Sequence, residues 1–125
     1  MAKILIVEDD DSVRTLAARA LERDGHAVET ASDGAQGLDR IREASGAYDL
    51  VLSDIRMPEM DGIEMAVKAA AAFPALPILL MTGYAEQRER AEELNKVIRD
   101  VMQKPFTLSE LRAGVQKSLE PRLAA

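Results

Sequence analysis

Six polar side chains stand directly behind short apolar runs in this sequence, and their types suit one kind of chemistry. Glu8, Asp9 and Asp10 follow Ile4-Leu5-Ile6-Val7. Asp54 follows Leu50-Val51-Leu52-Ser53, Thr82 follows Ile78-Leu79-Leu80-Met81, and Lys104 follows Val101-Met102-Gln103. Carboxylates about 4 Å apart repel by about 4 kcal/mol at an effective dielectric near 20. Several of them share a pocket only when one is protonated or a cation joins them. Oxygen ligands without Cys or a nearby His favour a hard divalent ion such as Mg²⁺, which completes its octahedron with water and phosphate. Lys104 adds a mobile positive charge, and Thr82 a hydroxyl able to donate to a phosphoryl oxygen. Asp54 needs no general base, because a carboxylate is already deprotonated at pH 7. A carboxylate nucleophile, a metal, a cation and a hydroxyl donor together fit formation of an aspartyl-phosphate.

The elements that must position these groups follow from the pattern between them. Lys3–Val7 and Tyr48–Ser53 read as strands covered on both faces, as does Leu76–Met81, which ends in Thr82-Gly83. His26–Ala31 is a weaker strand nearer an edge, and Val97–Gln103 is a fifth. Between them lie helical spacings. Val13, Leu16, Ala17, Ala20 and Leu21 form the first apolar stripe, with Asp10 or Asp11 as cap and Gly25 as terminator. Asp33-Gly34 opens a second helix that Ser45-Gly46 stops, and Asp61-Gly62 opens a third that buries Ile63, Ala66, Val67 and Ala70. The charged segment Glu86–Lys96 is a fourth, anchored by Ala91 and Leu94. Thr107, with Glu110 three residues on, caps a last helix whose stripe is Leu108, Leu111, Val115 and Leu119. Such β-α alternation predicts a parallel sheet with helices on both faces. Working groups in these sheets lie just beyond the carboxyl ends of the strands, where all six residues fall.

Composition narrows the function. A chain of 125 residues, 47% apolar, is one domain with a proper core. No apolar run approaches the roughly 20 residues of a transmembrane helix. Met1-Ala2-Lys3 leads straight into the first strand, leaving no signal-peptide core, so a cytoplasmic protein is expected. The absence of Cys excludes disulfides and thiol chemistry. A net charge of −6 argues against a nucleic-acid surface. Plainer readings stand beside the chemical ones: a turn aspartate at 54, a capping cluster at 8–11, a self-bonded Thr82, a solvated Lys104. Their joint occurrence favours the site. His26 reads as a surface residue, and the methionines as core filler.

The motifs Ile-Leu-Ile-Val-Glu-Asp-Asp at 4–10, Leu-Ser-Asp-Ile-Arg-Met-Pro-Glu-Met-Asp-Gly at 52–62, Met-Thr-Gly at 81–83 and Gln-Lys-Pro-Phe at 103–106 occur in order. With them the chain closely resembles the receiver domain of two-component response regulators. The resemblance implies a flavodoxin-like α/β fold with strand order 2-1-3-4-5 and a receiver over 1–120, followed by the short tail 121–125 without an output domain. By it Asp54 is the phosphoacceptor, served by a sensor histidine kinase or a histidine phosphotransfer protein. Asp9, Glu8, Asp54 and the backbone carbonyl of Arg56 would hold Mg²⁺ or Mn²⁺, and Thr82 and Lys104 would carry switching and charge balance. The family's Lys-Pro bond is usually cis, which Pro105 permits. The sequence departs from the family at Val101, where an aromatic that turns inward on activation is usual. The face 86–119 is the one receivers most often offer to a downstream protein. Stand-alone receivers serve as protease adaptors and as cell-cycle or motility regulators, and the ending Leu123-Ala124-Ala125, which resembles tags read by ATP-dependent proteases, points to a short-lived regulator or protease adaptor; a frayed apolar end is the plainer reading. The enzymatic alternative is a small haloacid-dehalogenase-type phosphatase, which Asp9-Asp10-Asp11-Ser12-Val13 also resembles, with Asp9 as nucleophile. A flavodoxin-like nucleotide binder lacks its phosphate loop here.

Overall fold

In the computed structural model, which describes residues 2–120, the elements alternate without exception. They are β1 (Lys3–Val7), α1 (Asp11–Arg23), β2 (Ala27–Ala31), α2 (Gly34–Glu43), β3 (Leu50–Asp54), α3 (Gly62–Ala72), β4 (Ile78–Thr82), α4 (Ala85–Glu92), β5 (Asp100–Gln103) and α5 (Leu108–Leu119). The strands form one parallel sheet in the order β2-β1-β3-β4-β5. The tail 121–125, and with it the tag-like ending, lies outside the described residues.

Side chains alternate across each strand, and two cores result. Ile4, Ile6, Leu52, Leu79 and Met81 pack with Ala17, Leu21, Leu111 and Val115, so α1 and α5 cover one face. Leu5, Val7, Val51, Leu80 and Val101 pack with Leu38, Ile41, Ile63, Ala66 and Ala91, so α2, α3 and α4 cover the other. Every residue of β3 and β4 is buried, which explains why these strands read as continuous apolar runs. Val101 fills its place in the second core and is 7% exposed.

Most helix starts lie where the caps predict. Asp10 accepts from the Val13 N–H, Asp33 from Gln36 and Asp61 from Glu64. Thr107 and Glu110 form the full reciprocal box. Gly25, at φ +90°, terminates α1, and the His26 N–H turns back to the Leu21 carbonyl, so β2 begins at Ala27.

Several expectations are corrected. α4 stops at Glu92, and 93–98 form a chain of turns in which the Leu94 N–H reaches Ala91 and those of Val97 and Ile98 reach Leu94. β5 therefore starts at Asp100, with Ile98 buried as part of the turn that feeds it. Leu16, Val67 and Leu108, read as core, are 55%, 46% and 42% exposed. Small neighbours take the buried arc instead: Ala17 and Ala20 in α1, Ala66 and Ala69 in α3. Among the described residues no helix is long and apolar enough to cross a membrane.

Candidate functional site

The carboxyl ends of β1, β3 and β4 and the exit of β5 lie side by side, and they bring four of the sequence-predicted residues together. Lys104 Nζ donates to Glu8 Oε1 at 2.6 Å and to Asp54 Oδ2 at 3.1 Å. Asp54 Oδ1 accepts from the Ile55 N–H at 2.9 Å. One ligand oxygen from each of Glu8, Asp9 and Asp54 lies within 4.8 Å of the others. Glu8 is 1% exposed and Asp54 9%, whereas Asp9 faces solvent. Asp10 belongs to the helix: its side chain caps α1.

Charge is unbalanced here, with three carboxylates against one ammonium. Burial, reinforced by the field of Asp54, pushes the Glu8 pKa above the usual carboxylate range even though Lys104 pulls it down. Asp9 is raised as well, by partial burial and then by Glu8. Burial works against the Lys104 charge, but the hydrogen bond to Glu8 and the charge of Asp54 outweigh it and hold the ammonium above its ordinary pKa. An all-oxygen donor set with surplus negative charge is the chemistry that a hard divalent cation fits.

The loop after β3 is closed tightly. The Gly62 N–H donates to the Ile55 carbonyl at 2.7 Å, and Glu59 takes a positive φ of 70°. A Cβ on Gly62 would stand 2.2 Å from the Asp54 carbonyl oxygen, so only glycine lets α3 start this close to β3. Arg56 and Tyr84 face each other across the mouth, the guanidinium carbon 5.0 Å from the ring centroid. Both border a cleft of about 780 Å³ that holds Glu8, Asp9, Asp54 and Lys104.

Thr82, the remaining predicted residue, is brought to the neighbouring strand end but is engaged elsewhere. Its hydroxyl donates to Gln87 Oε1 at 2.8 Å and accepts from the Tyr84 N–H at 3.1 Å. Gln87 is the residue that sequence reasoning missed. The available signal was a polar residue in the first turn of a helix whose N-cap position, Tyr84, offers no capping oxygen.

Comparison with known proteins agrees with this arrangement. A family described as the response regulator receiver domain matches residues 4–116. The transcriptional regulatory protein ZraR of Escherichia coli is 39% identical over 116 residues, which is 93% of this chain and 26% of ZraR, so the chain spans about a quarter of that relative's length. The response regulator receiver protein CpdR of Brucella abortus is 37% identical over 119 residues, covering 95% of this chain and 98% of CpdR. Among solved structures, the chemotaxis response regulator CheY4 of Vibrio cholerae superposes with a TM-score of 0.84 at 30% identity, over 94% of this chain and 98% of that one. Fold, site geometry and these likenesses agree: the chain belongs to the response regulator receiver domain family.

Proposed function

We propose that the chain is a phosphorylation-operated switch in which Asp54 is the acceptor. One observation carries this reading: a half-buried lysine bridges Asp54 and Glu8 in the acid cluster, at the carboxyl ends of parallel strands. The donor is a phosphohistidine on a sensor histidine kinase or phosphotransfer protein. An O–P bond forms at an Asp54 carboxylate oxygen as the donor's N–P bond breaks, and the electron pair returns to the imidazole nitrogen. Water later attacks phosphorus, releases inorganic phosphate and restores the carboxylate.

Glu8, Asp9, Asp54 and the Arg56 carbonyl are the residues to hold Mg²⁺ or Mn²⁺, which when bound offsets charge on the transferring group. Lys104 pairs with the phosphoryl oxygens, and Thr82 turns its hydroxyl to them. The switch then alters binding of a protein partner at the face 86–119, in the cytoplasm. Asp54 is favoured over Asp9 as nucleophile because Lys104 is already paired with it and Asp9 faces solvent.

The test is incubation with acetyl phosphate and Mg²⁺, read by intact mass and hydroxylamine sensitivity. Wild type is expected to gain one acyl-linked phosphoryl group, and Asp54→Asn none. Label retained in Asp54→Asn and lost in Asp9→Asn would overturn the assignment in favour of the phosphatase-like alternative. A pull-down with wild type against Asp54→Ala, with and without acetyl phosphate, then tests the partner. A protein held equally in every arm removes the switch from its control.

A further inference from the structure

A hydroxyl has one proton to donate, and in this structure the proton of Thr82 is committed. It goes to Gln87 Oε1 at 2.8 Å, while the same oxygen accepts from the Tyr84 N–H at 3.1 Å. Thr82 is 1% exposed, so no surrounding solvent offers a substitute partner. Tyr84 is the N-cap residue of α4, and Gln87 stands at the third helical position. The hydroxyl thus ties down the start of a helix that has no side-chain cap of its own, acting from the end of the preceding strand. Little else holds α4. It is eight residues long and buries Ala91 alone, where α3 buries Gly62, Ile63, Met65, Ala66 and Ala69.

We propose that Gln87 is the latch of the switch: the Thr82 hydroxyl donates either to Gln87 or to a phosphoryl group on Asp54, never to both, so phosphorylation frees Gln87 and loosens the first turn of α4. The inference rests on the reading of Asp54 as acceptor. It also supplies a read-out in a chain whose position 101 is a packed valine. The new acceptor and the old one compete for one proton, so each shifts the other's occupancy by the same factor. Arg88, next in α4, donates to Gln103 Oε1 at 3.3 Å, so loosening this turn also reaches β5 just before Lys104. Gln87 is a positioning residue, acting on Thr82 and not on the phosphoryl group.

The reversible mimic beryllium trifluoride, with Mg²⁺, separates the possibilities. Its affinity is measured by NMR titration, and α4 by amide exchange. In wild type, saturation with the mimic is expected to lower protection across 85–92. Gln87→Leu lacks the acceptor; it is expected to bind the mimic about fivefold more tightly, the equivalent of one net hydrogen bond of about 1 kcal/mol. Without the mimic, its α4 is expected to exchange as the bound wild type does. Gln87→Glu retains an acceptor and is expected to show no gain in affinity. In a Thr82→Val background Gln87→Leu is expected to change nothing, because the shared proton is gone. Wild-type affinity and wild-type α4 protection in Gln87→Leu would overturn the latch alone. A wild type that neither binds the mimic nor accepts phosphate from acetyl phosphate would overturn the acceptor reading, and the latch with it.

Discussion

Two helices, α3 and α4, follow the two fully buried strands on the same face of the sheet, and they are held in opposite ways. α3 begins with a capping Asp61, presses Gly62 against the Asp54 backbone and buries Ile63 and Met65. Full burial of such a side chain is worth roughly 1.5–3 kcal/mol. α4 begins at an uncapped Tyr84, keeps a polar surface and buries one methyl group, that of Ala91. Asp54 thus has a fixed wall on one side and a loosely tied one on the other. Local stability in a small domain is rarely uniform, and moving parts come from its weak end. Here the division runs between β3-α3, which places the carboxylate, and β4-α4, which in the proposed switch answers to it.

The two glycines beside the site give the sharpest contrast. Gly62→Ala would place a methyl 2.2 Å from the Asp54 carbonyl oxygen and 3.0 Å from the Ile55 Cα. Overpacking against backbone is expected to cost roughly 3 kcal/mol in urea unfolding. Gly83→Ala meets the Lys104 Cβ at 3.7 Å and its carbonyl oxygen at 4.0 Å, both ordinary contacts, and is expected to stay within about 0.5 kcal/mol of wild type. Equal costs for the two would erase the distinction between the walls.

The far end of the sheet supplies a reference remote from the site. Tyr48 donates to Glu29 at 2.8 Å, and burial, then the Glu29 carboxylate, push its pKa from 10.0 up to about 12. The neutral phenol is the form the fold favours. Its contribution is therefore complete below pH 10 and is lost as pH rises through about 12, a loss of at most about 2–3 kcal/mol. Alkaline titration followed by amide exchange is expected to weaken α3 and α4 together, and Tyr48→Phe to flatten that decline. Selective loss at α4 would place the weakness of α4 outside phosphoryl control.

Smaller effects lie at the helix caps. Asp61→Ala removes the α3 cap and is expected to cost about 1 kcal/mol by thermal or urea unfolding. Tyr84→Ser supplies α4 with the cap it lacks and is expected to slow exchange across 85–92 by a few-fold, about 0.5 kcal/mol. If the serine leaves α4 exchange unchanged, the missing cap is not what keeps this wall loose.

The placement of the charged groups was more legible in the sequence than the mechanics were. Glu8 and Asp54 could be placed because the buried parallel strands before them are nearly continuous apolar runs with abrupt ends, and Lys104 because the Gln-Lys-Pro-Phe motif marks the exit of a less apolar strand. Caps such as Asp33, Asp61 and Thr107 could be placed because each bonds within three residues of itself. The end of α4 could not. Residues 93–98 contain neither Gly nor Pro, and Leu94 continues the helical spacing although its turn has already broken. Thr82 was correctly placed at a strand end, but its partner in this state depends on how α4 lies on the sheet, which no local pattern encodes. The exposed Leu16, Val67 and Leu108 show the same limit. Periodicity identifies an apolar arc, while packing decides which part of it is covered.

Lys104 enters the site from β5, a four-residue strand that pairs with β4 alone, and its own N–H is bonded to the Thr82 carbonyl at 2.8 Å. The sole ammonium among the three carboxylates is thus carried by a short strand at the margin of the sheet. Opening of that margin would withdraw the positive charge and leave Glu8 and Asp54 facing one another. The charge balance of the site therefore hangs on a few backbone bonds at its border as well as on the acids that hold the lysine at its centre.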